Sequence, residues 1–451
     1  MRIARFIFLG SGSVLLASLA PAQQLSRFET HLASGKAASQ QSRYAEADRQ
    51  LREAIADAEA LDPADPATAG RNAEALESLC DLDVLIGKYD EAISLEEKAV
   101  AELEKSLGGE SHDLVPHLNR LAGIYRAGNR TPMAEPVLQR VLALDIRALG
   151  PDDGKVSSDY DNLGSAYMEM DRATEARAAY QKGLTARVDR LGPDHLDVAT
   201  SYTNLAVAEE KDQDFKAARR DYEKALSISE KKLGDESYSL TGILDRLGLM
   251  LRKEREFGEA EPVLQRTLAI REKTLGARHS DVALALDNLA LTYFYDSKYA
   301  EAEPLFSRSL QIWLATQGPY SPLVAQALDN LGSLYSAQQK YDDAEPLFKR
   351  ALSIREKQDI ESLSNLALVY EAKNDPKNAD LFFQRALLIG EKALGAEHLE
   401  ITETLTEYET FLRATGRIAE AKRIAARIHE LKEHQVREQT AAPNPGRGAN
   451  N

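Results

Sequence analysis

Asp281–Gly318 reads DVALALDNLALTYFYDSKYAEAEPLFSRSLQIWLATQG, two helical patterns joined by a polar break at Asp296, Ser297 and Lys298. In the first pattern Leu286, Leu289, Ala290 and Tyr293 fall at i, i+3, i+4 and i+7, one face of an α-helix. Tyr299, Ala302, Phe306, Ser309 and Leu310 do the same in the second. Gly318 ends the unit, and Gly276, Gly234, Gly192, Gly150 and Gly108 precede it at steps of 42 residues. A fixed period of this length marks a solenoid, whose units bury their apolar faces only by stacking on their neighbours.

Outward from this unit the register holds. Leu79, Leu121, Leu163, Leu205, Leu247, Leu289 and Leu331 recur every 42 residues, and Leu366 follows after a step of 35. Seven residues are therefore missing around Gln358–Ile360, which shortens the end of one second helix and its loop. Beside each leucine stands a small residue: Ala122, Gly164, Ala206, Gly248, Ala290 and Gly332, with the only cysteine, Cys80, in the same place. Ala92, Ala134, Ala176, Ala218, Ala260, Ala302, Ala344, Ala379 and Ala421 repeat in the second helix. A small residue on each helix lets the backbones approach and opens a slot for a bulky partner. Cys80 is accordingly expected to be a buried packing residue, and a single cysteine cannot form an internal disulfide. At the ends of units, Gly150-Pro151-Asp152 and Gly192-Pro193-Asp194 offer a glycine for a left-handed terminus, a helix-stopping proline and an acid to cap the next helix. His195, His279 and His398 follow these glycines one per repeat, a spacing that suits structural or solvated roles and not a metal cluster.

The 451 residues carry 72 acidic and 56 basic side chains, a net charge of -16. That balance excludes the basic stripe a nucleic-acid binder needs, and favours basic partners. Arg2 and Arg5, the apolar run Phe6–Leu19 and the small-x-small site Ala20-Pro21-Ala22 have the pattern of a secretory signal, so residues 1–22 are expected to be removed. The apolar run of 14 residues is short for a bilayer span. A secreted protein, of the bacterial periplasm or extracellular space, follows. Residues 23–70 form a degenerate first repeat (Tyr44-Ala45-Glu46-Ala47 echoes Tyr299-Ala300-Glu301-Ala302) and an irregular link over Leu61–Gly70. Residues 71–434 form the regular array, and 435–451 read as a disordered tail.

Leu289-Ala290, Tyr293, Ala302, Phe306 and Ser309 resemble the large and small positions of the tetratricopeptide repeat. The 42-residue length and phrases such as Ala302-Glu303-Pro304-Leu305-Phe306 and Leu191-Gly192-Pro193-Asp194-His195 are similar to its kinesin light chain-like form. The resemblance implies an all-α, right-handed superhelical solenoid of about nine to ten antiparallel helix pairs. It also implies a concave groove, lined by the first helices, that holds peptides or partner proteins. Glu209, where Tyr167 and Tyr293 stand elsewhere, and Glu96, where Phe306 and Leu264 stand, depart from the pattern and are expected to loosen their repeats.

Asn162, Asn204, Asn288, Asn330 and Asn365 stand immediately before the repeated leucine. In similar arrays such amides pair with a ligand's backbone, since one side chain offers both donor and acceptor; the alternative is a hydrogen bond between repeats. One residue earlier come Glu77, Asp161, Asp245, Asp287 and Asp329, a row expected either to attract lysine and arginine in a ligand or to be a solvated face. Arg120 and Arg246 interrupt the asparagines, with Arg126, Arg252 and Lys253 nearby. Met168, Phe294 and Tyr295 are candidate apolar contacts. Trp313 stands where Arg271 and Arg355 do in neighbouring repeats; it either anchors a partner from an exposed face or covers an apolar patch between second helices.

No phosphate-binding loop, nucleophile constellation or cofactor motif appears in the sequence. The reading is a non-catalytic scaffold or adaptor that needs no cofactor or metal, takes extended protein segments in its groove and does not bind nucleic acid. The alternative is a structural part of an envelope complex, assembled through its outer face or by self-association.

Overall fold

The computed structural model describes residues 21–65, 67–355, 360–394 and 401–441. Residues 1–20 of the proposed signal, His398 and residues 442–451 of the tail lie outside these; residues 435–441, expected to be disordered, instead continue the last helix, Ile418–Ala441. All regular structure among the described residues is helical, and the chain divides into two compact units, Met1–Lys232 and Leu233–Asn451.

The first unit holds the pairs α1 (Pro21–Gln40) and α2 (Tyr44–Glu59), α3 (Thr68–Leu85) and α4 (Tyr89–Leu107), α5 (Val115–Ala127) and α6 (Thr131–Leu149), α7 (Gly154–Glu169) and α8 (Ala173–Leu191), α9 (Leu196–Lys211) and α10 (Phe215–Leu233). The second holds α11 (Thr241–Lys253) and α12 (Phe257–Leu275), α13 (Ser280–Tyr295) and α14 (Tyr299–Gln317), α15 (Pro322–Ala337) and α16 (Tyr341–Ile354), α17 (Ile360–Ala372) and α18 (Pro376–Leu394), α19 (Ile401–Ala414) and α20 (Ile418–Ala441). Short 3-10 turns, His112–Leu114 and Tyr238–Leu240, precede α5 and α11. The degenerate first repeat is thus a true helix pair. The link after it is shorter than Leu61–Gly70, because α3 already begins at Thr68 and takes in Gly70.

The small-residue slots explain the packing within each pair. A Cβ on Gly332 would lie 2.8 Å from the Phe348 ring, one on Gly164 2.5 Å from the Tyr180 ring, and one on Gly248 2.6 Å from Leu264. Phe306, Tyr222 and Phe348, all fully buried, are the bulky partners, each 16 residues beyond its small residue. Cys80 is fully buried as expected, its thiol donating to the Ala92 carbonyl at 3.3 Å.

Two kinds of turn alternate. Within a repeat, Ser297 takes φ 60° while Lys298 N–H bonds back to the Tyr293 carbonyl at 2.8 Å, the six-to-one closure of a helix C-terminus. Between repeats, Gly276 has φ 85° and ψ 151°, and Gly192 φ 80° and ψ 159°. These values lie in the extended mirror region open essentially to glycine alone, not in the left-handed helical region expected from the sequence. The cap of the next helix also falls one residue later than expected. His195 Nδ1 accepts from Asp197 N–H and His279 Nδ1 from Asp281 N–H, both at 3.1 Å, and Asp153 caps α7 in place of Asp152. These two histidines are helix caps.

The shortening falls on the end of one second helix and the start of the next first helix: α16 has 14 residues where α12 and α14 have 19, and α17 has 13 where α13 and α15 have 16. The cut falls just beyond Arg355, so the contacts made at that point survive.

Candidate interaction surface

The five asparagines sit in the middle of first helices, Asn162 on α7 and Asn204 on α9 in the first unit, Asn288, Asn330 and Asn365 on α13, α15 and α17 in the second. All are half-buried. Asn330 accepts from Gln326 Nε2 at 3.2 Å, within its own helix. The side-chain amides of Asn162, Asn204, Asn288 and Asn365 make no hydrogen bond to another described residue. Each leaves a donor pair and an acceptor at the surface of its stack.

The acidic row faces elsewhere. Asp161 Oδ2 accepts from Arg187 Nη2 at 2.7 Å, Asp245 pairs with Arg271, and Asp329 pairs with Arg355 and accepts from Ser362 Oγ at 3.0 Å. Asp287 accepts from Trp313 Nε1 at 2.9 Å. Each of these arginine or tryptophan partners is 26 residues on, in the second helix of the same repeat or, for Arg355, at its C-terminal cap. One residue of α-helix turns the side chain by about 100°, which carries these acids off the asparagine face and into the pair. Neither a solvated face nor a ligand-attracting row describes them. Burial raises the Asp329 carboxyl while Arg355 opposes the rise, and burial without a cation pushes Asp287 up to about 6. Trp313, 6% exposed, replaces arginine as the donor to the acid and is no anchor.

Three of the basic residues are also engaged. Arg120 donates to Glu96 Oε2 at 2.7 Å and Arg252 to the Asn288 carbonyl at 3.2 Å, and Arg126 pairs with Glu169. Tyr295, 54% exposed, packs edge-on against Phe294 with centroids 5.4 Å apart and remains available at the end of α13.

The two departures from the repeat pattern are buried acids, not gaps. Glu209 has Arg220 at 3.7 Å, and burial together with Asp221 pushes it up to about 7. Glu96 is fully buried against Arg120. Sequence reasoning missed one polar cluster altogether. Between α6 and α7, Asp145 and Asp159 face each other in the interior, with His112 Nε2 2.6 Å from Asp145 Oδ1. Asp145 occupies the place that Arg187 and Arg271 hold in other repeats, and that substitution was the available signal.

The tetratricopeptide repeat models match residues 156–231, 240–306, 281–357 and 360–400. No curated protein matches the chain. Among solved structures, the putative kinesin light chain of Podosopora anserina, with nearly identical TPR-like repeats, is 22% identical over 46% of this chain and 99% of its own, at a TM-score of 0.43. BtubC (BKLC) of P. vanneervenii is 22% identical over 53% of this chain and 91% of its own, at 0.43. A tetratricopeptide repeat protein of Parabacteroides merdae is 16% identical over 65% and 98%, at 0.47.

Proposed function

The chain belongs to the tetratricopeptide-repeat family, and we propose that it acts as a non-catalytic scaffold that holds an extended protein segment along its first helices. The asparagine row carries this reading. Amides recurring along the first helices, whose donors the fold leaves unused and whose acceptors are unused in all but Asn330, match the repeating donor and acceptor of an extended backbone. Tyr295 adds an apolar contact at the edge of that row. The partner's charge is not selected by Asp161, Asp245, Asp287 or Asp329, each of which is held inside its helix pair by Arg187, Arg271, Trp313 or Arg355. Any preference for basic segments rests on the net charge of -16 alone.

We place this activity outside the inner membrane, in the periplasm or beyond, on the strength of the N-terminal signal pattern. Cleavage before Gln23 leaves α1 almost whole. Among the described residues no helix is long and apolar enough to cross a membrane. The N-terminal mass of the secreted chain tests the processing.

The experiment is capture of partners from envelope extract by the chain from Gln23 onward, beside the variant Asn288→Ala, Asn330→Ala, Asn365→Ala of equal helicity. A partner lost with the asparagines supports the reading; an unchanged set of partners overturns it. Leu381 and Leu388, 50% and 67% exposed and seven residues apart on α18, favour an assembly role through the outer face instead. A mass in solution that rises with concentration, and falls on Leu388→Glu, would support that second reading.

A further inference from the structure

One corner of the first unit breaks the repeat pattern at several positions at once. Where later repeats place Leu138, Tyr180, Leu264 or Phe306 in the core of the second helix, α4 places Glu96. Where four later repeats place serine or alanine, at Ser201, Ala285, Ala327 and Ser362, α5 places His117; where the same four place asparagine, it places Arg120. Glu77 on α3 takes the position of the internal acids, yet 26 residues on stands Leu103, which offers it no donor. The structure brings these departures together: ligand atoms of Glu77, Glu96 and His117 all lie within 4.8 Å of one another.

The protein matrix does not complete this cluster. Glu96 is fully buried, and Arg120 engages only one of its oxygens, Nε to Oε2 at 2.7 Å. The other, Oε1, is buried with no hydrogen-bond partner, an arrangement that costs several kcal/mol in a protein interior unless something else satisfies the charge. Arg120 Nη2 points away from Oε1, donating to the Glu77 carbonyl at 2.6 Å and pairing with Asp81 at 2.9 Å. The guanidinium therefore fixes the orientation of Glu96 without covering Oε1. His117 Nδ1 and Glu77 Oε1 are hydrogen-bonded to each other.

We propose that Glu77, Glu96 and His117 form a divalent transition-metal site of the zinc class, joining α3, α4 and α5. One imidazole and two carboxylates are a donor set that Zn2+ accepts, with ligand bonds of about 2.0–2.2 Å. Three such donors around a tetrahedral ion stand roughly 3.4 Å apart, so small side-chain rotations close the site. The charges agree: Glu77, Glu96 and Asp81 against Arg120 leave two negative charges for the ion to neutralise. Arg120, bonded to the far oxygen of Glu96, positions that ligand from outside the coordination sphere. His117 and Glu77, 28% and 20% exposed, give the ion its way in. The ion enters by replacing the proton shared between His117 and Glu77, which is released to solvent.

The test is calorimetric titration of Zn2+ into the chelator-treated full chain, with thermal melting in parallel. One equivalent should bind, with a Tm that rises on addition. His117→Ala and Glu77→Gln, both at part-exposed positions and checked by circular dichroism, should each weaken binding by about tenfold or more and abolish the rise in Tm. His279→Ala, which removes a distant cap, should leave both unchanged. Saturable binding that survives His117→Ala and Glu77→Gln overturns the site, as does the absence of saturable binding to the wild type. Tighter binding of Mg2+ than of Zn2+ overturns the class of ion, since an imidazole ligand does not favour magnesium.

Discussion

Asp159 and Asp145 show how much one altered side chain moves. Both are buried; burial, then the hydrogen bond and charge of Asp145, push the Asp159 carboxyl up to about 8. The folded chain thus holds a proton that the unfolded chain gives up near pH 4. Folded stability from this group is fully present below that pH, declines by about 1.4 kcal/mol for each pH step of one as pH rises, and is gone above about 8. Asp159→Asn should therefore melt higher than the wild type at pH 8.5 and lose that advantage by pH 5; parallel melting curves across that range would contradict the assignment. A second contrast concerns the internal acid row. Asp329→Asn takes the buried carboxylate from half-buried Arg355 and should cost about 3 kcal/mol. Asp287→Asn keeps an acceptor for Trp313 and removes a charge that has no cation, so it should cost under about 1 kcal/mol. Denaturant titration of the two variants decides, and equal losses would mean that the two acids are held alike.

Each helix pair closes around its slot, and the slot is the element's weak point. Gly332→Ala pushes a methyl against the Phe348 ring, and Ala290→Leu enlarges the residue facing Phe306; both should lose roughly 1–3 kcal/mol by overpacking. An unchanged melting temperature for Ala290→Leu would mean that α13 and α14 do not meet there. The turns separate just as clearly. Gly276→Ala places a Cβ at φ 85° and ψ 151° and should cost about 1–3 kcal/mol. Ser297→Gly, at a left-handed position that serine already tolerates, should change stability by less than about 1 kcal/mol. The shortened α16 follows the same logic: its cut spares Arg355, which still reaches Asp329 and Ser362, so the repeat loses length without losing its internal bond.

In a molecule built from neighbour contacts, damage stays near its origin. Gly332→Ala should lower hydrogen-exchange protection in α15 to α18 and leave α3 to α8 as they were; a uniform loss would contradict local cooperativity. Binding should be equally local. With the acidic row committed inside the helix pairs, the affinity of a segment held by the asparagines should change little between about 50 and 200 mM salt, and a steep fall would return charge selection to the groove.

The period of 42, the small-residue slots, the glycine turns and the missing seven residues could all be read from the chain, because each is a local constraint repeated many times over. The asparagine row was legible for the same reason. Glu77, Asp161, Asp245, Asp287 and Asp329 were equally visible as a row, yet their meaning was not. A spacing of one residue from the asparagines says that the acids share a helix, and only the packed partner shows that Arg187, Arg271, Arg355 and Trp313 receive the four aspartates. Glu96 read as a fault in a pattern until folding set Arg120, His117 and Glu77 beside it, and Asp145, beside Asp159 and His112, was not singled out at all. Sequence determined the repeat and its register, since those follow from backbone geometry and burial within a few turns. The tertiary structure alone decided which charged side chains are internal and which remain free to meet a partner, since that depends on the helix packed opposite.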